Sequence, residues 1–445
     1  MLKTEKNHIL AIVCLIIFLL ITFPFMITHI PHCDESQNYM AARFMTASNF
    51  IDILRSHGHP ILWYLIIMPF AKLNFAYPYS ILIINYLFTF LALVFMWFKA
   101  PFNSALKITI TFSFMMVSYF AIIARCYSIG ILGLFILAYM FKEQTKRPVL
   151  YSIMLALTAN TSAIACIGVT GLSFLFIYNV FKEKTNIKRS KINLCLLILF
   201  ISGIFTAIPH LTYNFHLAAE KYSFEIFFFP LKNNITFITA YIVSIILIIF
   251  NGIKSKTKGG VQSVFFILYT LILQLLFMTF VYCCFQQHNY FFLIWLIFAV
   301  WIQNSYQTYE INFSQLLYPL IALLLFTPND LSFKNGSPIV YEYGRIMEKD
   351  SSNYDNSVIM FVDNPDNILF QIAPFFINNP SVTLMNGKEL YSYEMKWFIP
   401  DNDDIKKIVK SIDKPVYIFA SKDTDLPQYK LVENYKNTIK IYRVK

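Results

Sequence analysis

From Ile9 to about Phe326 the chain is a succession of apolar runs, most of them long enough to cross a bilayer. This feature limits the fold more than any other. A segment immersed in hydrocarbon must satisfy its own backbone N–H and C=O groups, so such runs cross as helices. Runs near 9–29, 79–98, 106–123, 127–141, 149–163, 165–181, 192–209, 235–251, 262–282, 290–304 and 314–327 predict about eleven spans. Lys3 and Lys6 precede the first run and no small-residue cleavage site follows it, so the first span is expected to stay uncleaved.

Charge is scarce, at 14% of residues against about 25% in soluble domains, and the shortfall lies in the first three quarters of the sequence. After Thr327 the sequence becomes rich in Asp, Asn and Lys. The expected fold class is mainly α, a polytopic membrane helix bundle over 1–327, followed by a small α/β soluble domain over 328–445. In that domain Val358–Val362 and Val416–Ala420 read as buried strands, Asp403–Ile412 as a short helix and Ile439–Val444 as a closing strand. The seven Cys show no metal-ligand spacing and read as small apolar residues.

The net charge of +11 does not point to nucleic acid, because the basic residues sit in short loops between apolar runs. With the N-terminus cytoplasmic, fifteen Lys and Arg fall on the inside, among them Lys142, Lys146 and Arg147 in one loop and Lys254, Lys256 and Lys258 in another. Six fall outside: Arg43, Arg55, Lys72, Arg125, Lys221 and Lys232. That asymmetry is the positive-inside pattern, and an odd span count then puts the C-terminal domain on the outer face. The expected location is the inner (plasma) membrane, multi-pass. Segment 60–73 is apolar but short. Counting it as a span would reverse everything after it, so it is expected to lie in the interface or half-inserted, anchored by Trp63, Tyr64 and Lys72.

On this map the residues that core packing does not explain fall on one face. Asp34-Glu35 follows the first span. Asp34 with Gln37 fits a capping box for a helix to about Ala47, a solvated cap. The same pair also suits a general base at the membrane face, with its acid neighbour binding a metal or positioning an acceptor. In His57-Gly58-His59-Pro60 the glycine permits a turn that brings both histidines to one ligand. Two histidines specify no metal by themselves, and a divalent ion is left as an open cofactor. Arg125 falls where one span leaves and the next enters, as a snorkelling residue or as a fork of donors for phosphate. Asn160-Thr161-Ser162 occupies an outer hairpin, satisfying the turn or lining a site. His210 and His216 flank a further outer loop, and Gln287-His288-Asn289-Tyr290 opens the tenth span.

Taken in order, Asp34-Glu35 with Tyr39 and Ala42-Arg43, Gly58-His59-Pro60, Ala124-Arg125-Cys126-Tyr127, Asn160-Thr161-Ser162 and Gln287-His288 resemble the glycosyltransferase-C superfamily. The likeness is to the bacterial members grouped with protein O-mannosyltransferases and aminoarabinose transferases, and it covers roughly residues 9–300. It implies transfer of a hexose or pentose from a polyprenyl-phosphate donor to a hydroxyl on a lipid, glycan or protein, at the outer face of the bilayer. By the same resemblance Asp34 is the expected catalytic base, assisted by Glu35. Arg125, with His59 and His288, would hold the donor phosphate, and Tyr39, His57, Tyr127 and Asn160 would line the acceptor or substrate. A polysaccharide polymerase or ligase is one alternative, although such enzymes usually place the key loop later in the bundle. A transporter is another, although transporters tend to carry broken helices at the midplane.

Overall fold

A computed structural model describes residues 2–29, 31, 33–73, 75, 77–182, 187–210, 235–280, 286–306, 350–362, 379, 381–385, 406–407, 409–421, 425–435 and 439–445. The chain packs as two compact units. One comprises Met1–Ile27, Gly58–Trp63 and Ile83–Ser332, and the other Thr28–His57, Tyr64–Leu82 and Phe333–Lys445.

The first unit is a helical bundle: α1 (Leu2–Thr28), α5 (Tyr79–Lys99), α6 (Ser104–Thr111), α7 (Tyr127–Met140), α8 (Pro148–Ala159), α9 (Ala163–Lys182), α10 (Arg189–Ala207), α11 (Ile235–Ser255), α12 (Lys258–Phe280) and α13 (Gln286–Tyr306). Among the described residues five helices are long and apolar enough to cross a membrane: those at His8–Thr28, Tyr79–Lys99, Ala163–Lys182, Arg189–Ala207 and Lys258–Met278. Shorter apolar helical stretches run over Pro148–Ala159, Thr239–Ser255 and Tyr290–Tyr306, the expected span at 127–141 is the 14-residue α7, and 314–327 lies outside the described residues. Large apolar side chains such as Leu20, Leu197 and Phe200 point outward from α1 and α10. Lipid is the solvent that makes such faces stable.

The expected span at 106–123 is not one α-helix. It stops at Thr111 and resumes as a π turn over Met115–Phe120. Ser113 sits at the break, its hydroxyl donating to the Ile110 carbonyl at 2.8 Å. Such local bonds compete with the helical ladder. The Phe120 carbonyl at the far end accepts from Asn85 Nδ2 at 2.8 Å and from Thr89 Oγ1 at 2.5 Å, both on α5. The π turn therefore leaves that carbonyl satisfied inside the bundle, and the chain reaches Arg125 along a fixed irregular path.

Close helix contacts hold the far side of the bundle. Gly168 on α9 faces Trp295 on α13, and a Cβ built at Gly168 would come within 2.4 Å of the indole. Trp295 is fully buried, so it has nowhere to retreat. Gly168→Ala is expected to destabilise the protein by about 1–3 kcal/mol through overpacking. A lowered thermal midpoint in detergent would show it, and an unchanged midpoint would mean that the indole has room to move.

The second unit contains three short helices, α2 (Cys33–Phe44), α3 (Phe50–His57) and α4 (Leu62–Lys72, entered from Tyr64), with a five-stranded sheet. At about 1.5 Å per residue, the 11 residues of α4 cover roughly 16 Å, half of a bilayer's ~30 Å core. Trp63 and Tyr64 are both fully buried in protein, which corrects their expected role as interfacial anchors; Lys72 alone of the three is exposed. The sheet is built from β1 (Val358–Val362), β2 (Thr383–Met385), β3 (Val416–Ser421), β4 (Lys430–Tyr435) and β5 (Ile439–Arg443), in the order β2-β1-β3-β5-β4. β1 runs parallel to β2 and β3, and β5 runs antiparallel to β3 and β4. Val358, Met360, Val416, Ile418 and Ala420 form its core with Val409 and Ile412.

Candidate active site

The two halves of the expected site lie in different units. In the second unit, α2 begins at Cys33, so Asp34 stands inside the first turn and is not its cap, and the helix ends at Phe44, short of Ala47. Asp34 there gains from the partial positive charge of the helix N-terminus, which favours the carboxylate. The helix is not a solvated one. Glu35, Ser36, Gln37 and Asn38 are all buried although every one is polar, while Asp34 is only half-buried. Polar groups are held in such places only by partners. Glu35 Oε2 pairs with His29 Nε2 at 2.9 Å, and the two side chains are 0% and 4% exposed. Ser36 Oγ and Tyr77 OH lie 2.7 Å apart, and the rings of Tyr39 and Tyr77 pack with centroids 4.6 Å apart. Arg43, in the last turn, donates to the Ala71 carbonyl at 3.3 Å. Burial pushes the Tyr39 hydroxyl up to about 12, against the pull of the Arg43 charge, so it stays protonated. Burial works to lower the His29 pKa, but the Glu35 charge and hydrogen bond outweigh it, and the net shift is upward.

In the first unit, His59 follows Gly58, whose φ of 66° is the left-handed conformation that glycine adopts without cost. His57 is the last residue of α3, so the two histidines are separated by that turn. The turn is tied down where the Leu62 amide donates to the Asn160 carbonyl at 3.0 Å. Asn160 Nδ2 donates to Ser202 Oγ at 3.0 Å, and Ser162 Oγ accepts the Ala165 amide at 3.1 Å, so this hairpin closes its own backbone.

Arg125 Nη2 lies 3.3 Å from His59 Nε2. A guanidinium only donates, so Nε2 accepts and the ring proton sits on Nδ1, which faces Cys126 Sγ at 3.9 Å. Arg125 also lies over the Tyr127 ring, 5.7 Å from its centroid, and Tyr127 OH meets His288 Nε2 at 2.6 Å. Behind them, Gln274 Nε2 donates to the His288 carbonyl at 3.0 Å and Trp295 Nε1 donates to Gln274 Oε1 at 2.6 Å. Three segments distant in sequence thus place Arg125, His59, Tyr127 and His288 in one cluster. A cationic fork beside imidazole and phenol groups can receive phosphate oxygens.

His29, Tyr77, Gln274 and Trp295 are absent from the sequence-derived set. The position of His29 just after the first span and just before the acid pair was the available signal for it. Among the described residues no group of three or more His, Cys, Asp and Glu is arranged to hold a metal ion. The side chains of His57, His210 and Gln287, and residue His216, lie outside what is described.

The architecture is shared with a solved structure. The comparison behind this is with the crystal structure of ArnT from Cupriavidus metallidurans in the apo state. The two superpose with a TM-score of 0.57 at 10% identity, over 100% of this chain and 98% of that one. At that identity the likeness is one of fold. No family model matches the sequence, and no curated protein matches it.

Proposed function

We propose that the protein is a membrane glycosyltransferase that moves a sugar from a polyprenyl-phosphate carrier to an acceptor hydroxyl on the extracytoplasmic face. The observation that carries this is the cluster of Arg125 with His59, Tyr127 and His288 in a bundle with the ArnT fold. The topology that goes with it has eleven spans, a cytoplasmic N-terminus and an extracytoplasmic C-terminal domain, and it rests on the fifteen inside basic residues against six outside.

In the reaction the acceptor oxygen bonds to the anomeric carbon as the bond from that carbon to the phosphate oxygen breaks. The electron pair leaves with the lipid phosphate, where Arg125 meets the gathering charge. Phosphate is already a good leaving group, so positioning and charge stabilisation dominate. Asp34 deprotonates or orients the acceptor hydroxyl, whose proton leaves as the new bond forms, and a single displacement inverts the anomeric centre.

The test is release of polyprenyl phosphate from labelled polyprenyl-phosphate hexose and pentose by the purified protein in lipid nanodiscs, with membrane lipid and glycan extracts as acceptors. Acceptor-dependent release is expected. A protein that binds such donors but moves them across the bilayer without cleavage would be a transporter, and the proposal would fall.

A further inference from the structure

We infer that His29 and Glu35 form a carboxylate–imidazole dyad in which His29 Nδ1 is the base that takes the proton from the acceptor hydroxyl. The inference rests on the transferase reading and goes beyond it, since the motifs point to the acid pair alone.

The geometry carries it in three steps. Glu35 Oε2 stands 2.9 Å from His29 Nε2. A carboxylate accepts, so in the neutral ring Nε2 holds the hydrogen and Nδ1 holds the lone pair. Nδ1 is buried and has no hydrogen-bond partner among the described residues. A buried polar nitrogen left in that state is costly, and a hydroxyl delivered to it removes the cost. Thirdly, the pair has the architecture of an activated base, an imidazole whose far nitrogen is oriented by a carboxylate that also stabilises the imidazolium once it forms. The upward shift of His29 has the same origin and suits a base working near neutral pH.

The two acids of α2 then divide the work. Glu35, fully buried, serves His29, and Asp34, half-buried one residue earlier, holds and orients the acceptor. In the transfer step the acceptor O–H proton passes to His29 Nδ1 and the oxygen bonds to the anomeric carbon. The carbon–oxygen bond to phosphate breaks, and its electron pair stays on the phosphate. The proton is later lost to water.

A merely structural ion pair behaves differently, and a double replacement separates the two. Breaking a buried pair on one side is strongly destabilising, while replacing both members by apolar residues is often neutral. His29→Leu and Glu35→Leu singly should therefore melt lower than wild type, and the double variant should recover the melting temperature. The dyad predicts that the recovered double variant still transfers sugar at least about 100-fold more slowly. Glu35→Gln, which keeps a hydrogen-bond partner for Nε2 but not the charge, should move the acid limb of the kcat/KM profile to lower pH. A double variant with near-wild-type transfer, or an acid limb that does not move in Glu35→Gln, overturns the dyad and leaves the transferase reading in place. Wild-type protein that releases no polyprenyl phosphate from any donor removes both.

Discussion

Arg125→Ala is expected to lower kcat/KM for the polyprenyl-phosphate donor by on the order of 10²–10³, the scale seen when one preorganised donor to a developing anion is lost. In the structure Arg125 lies against the imidazole of His59 and over the ring of Tyr127, both of them uncharged partners in these contacts. A phosphate oxygen can replace the imidazole nitrogen as an acceptor of the guanidinium. Arg125→Lys should recover only part of the loss. An ammonium supplies the charge but not the planar fork, and it stacks less well on the phenol. Donor saturation curves for the three proteins measure this directly. Arg125→Ala with kcat/KM within about threefold of wild type would mean that the phosphate is held elsewhere. Gln274→Leu offers a milder companion result, because it removes both the bond to the His288 carbonyl and the acceptor of the Trp295 indole. A rise in donor KM with little change in kcat is expected, as the His288 end of the cluster loosens.

Much of the fold is visible in the sequence because its elements are set by local pattern. Tyr79–Lys99 and Ala163–Lys182 are continuous apolar runs ending on a lysine, and they are helices. Val358–Val362 and Val416–Ser421 are short, β-branched and aromatic runs bounded by polar residues, and they are the neighbouring parallel strands β1 and β3. The break at 112–114 is not visible, because a serine such as Ser113 within an apolar run marks no particular place where the ladder fails. Its cause lies partly in Asn85 and Thr89 on another helix, which take the freed carbonyl of Phe120. Burial of Trp63 and Tyr64 is hidden for a related reason. An amphipathic ring suits a membrane interface and a protein interior equally well, and the local sequence does not say which surface faces it. The site divides in the same way. Arg125, His59 and His288 stand out in the sequence as polar residues among apolar ones, whereas the partners that orient them are ordinary-looking residues whose role is tertiary. Residues 33–38 mislead most, since Cys-Asp-Glu-Ser-Gln-Asn has the composition of a solvated loop yet Glu35 to Asn38 are buried.

Burial splits the adjacent acids of α2 into two experiments with opposite outcomes. Asp34→Asn is expected to slow transfer by about 10²-fold through a misplaced acceptor, while leaving insertion and thermal stability near wild type. Asp34 is half-buried in the first turn, where the helix N-terminus favours its charge by up to ~2 kcal/mol, and asparagine keeps the side chain's shape and an acceptor oxygen. Glu35→Leu should do the reverse in stability, lowering it by about 3–5 kcal/mol, because it strands His29 beside a fully buried position. The pH dependence follows from the direction of the His29 shift. Its pKa is raised on folding, so the stabilisation from the charged pair is fully present below the ordinary value of 6.5 and is lost as pH rises through the raised folded value. The melting temperatures of wild type and of Asp34→Asn should therefore decline in parallel across that window, and that of Glu35→Leu should not show the decline. If Asp34→Asn unfolds or fails to insert, its role is structural. If it folds and still transfers at near-wild-type rate, the acceptor hydroxyl is handled without it, and the chemistry of α2 belongs to His29 and Glu35 alone.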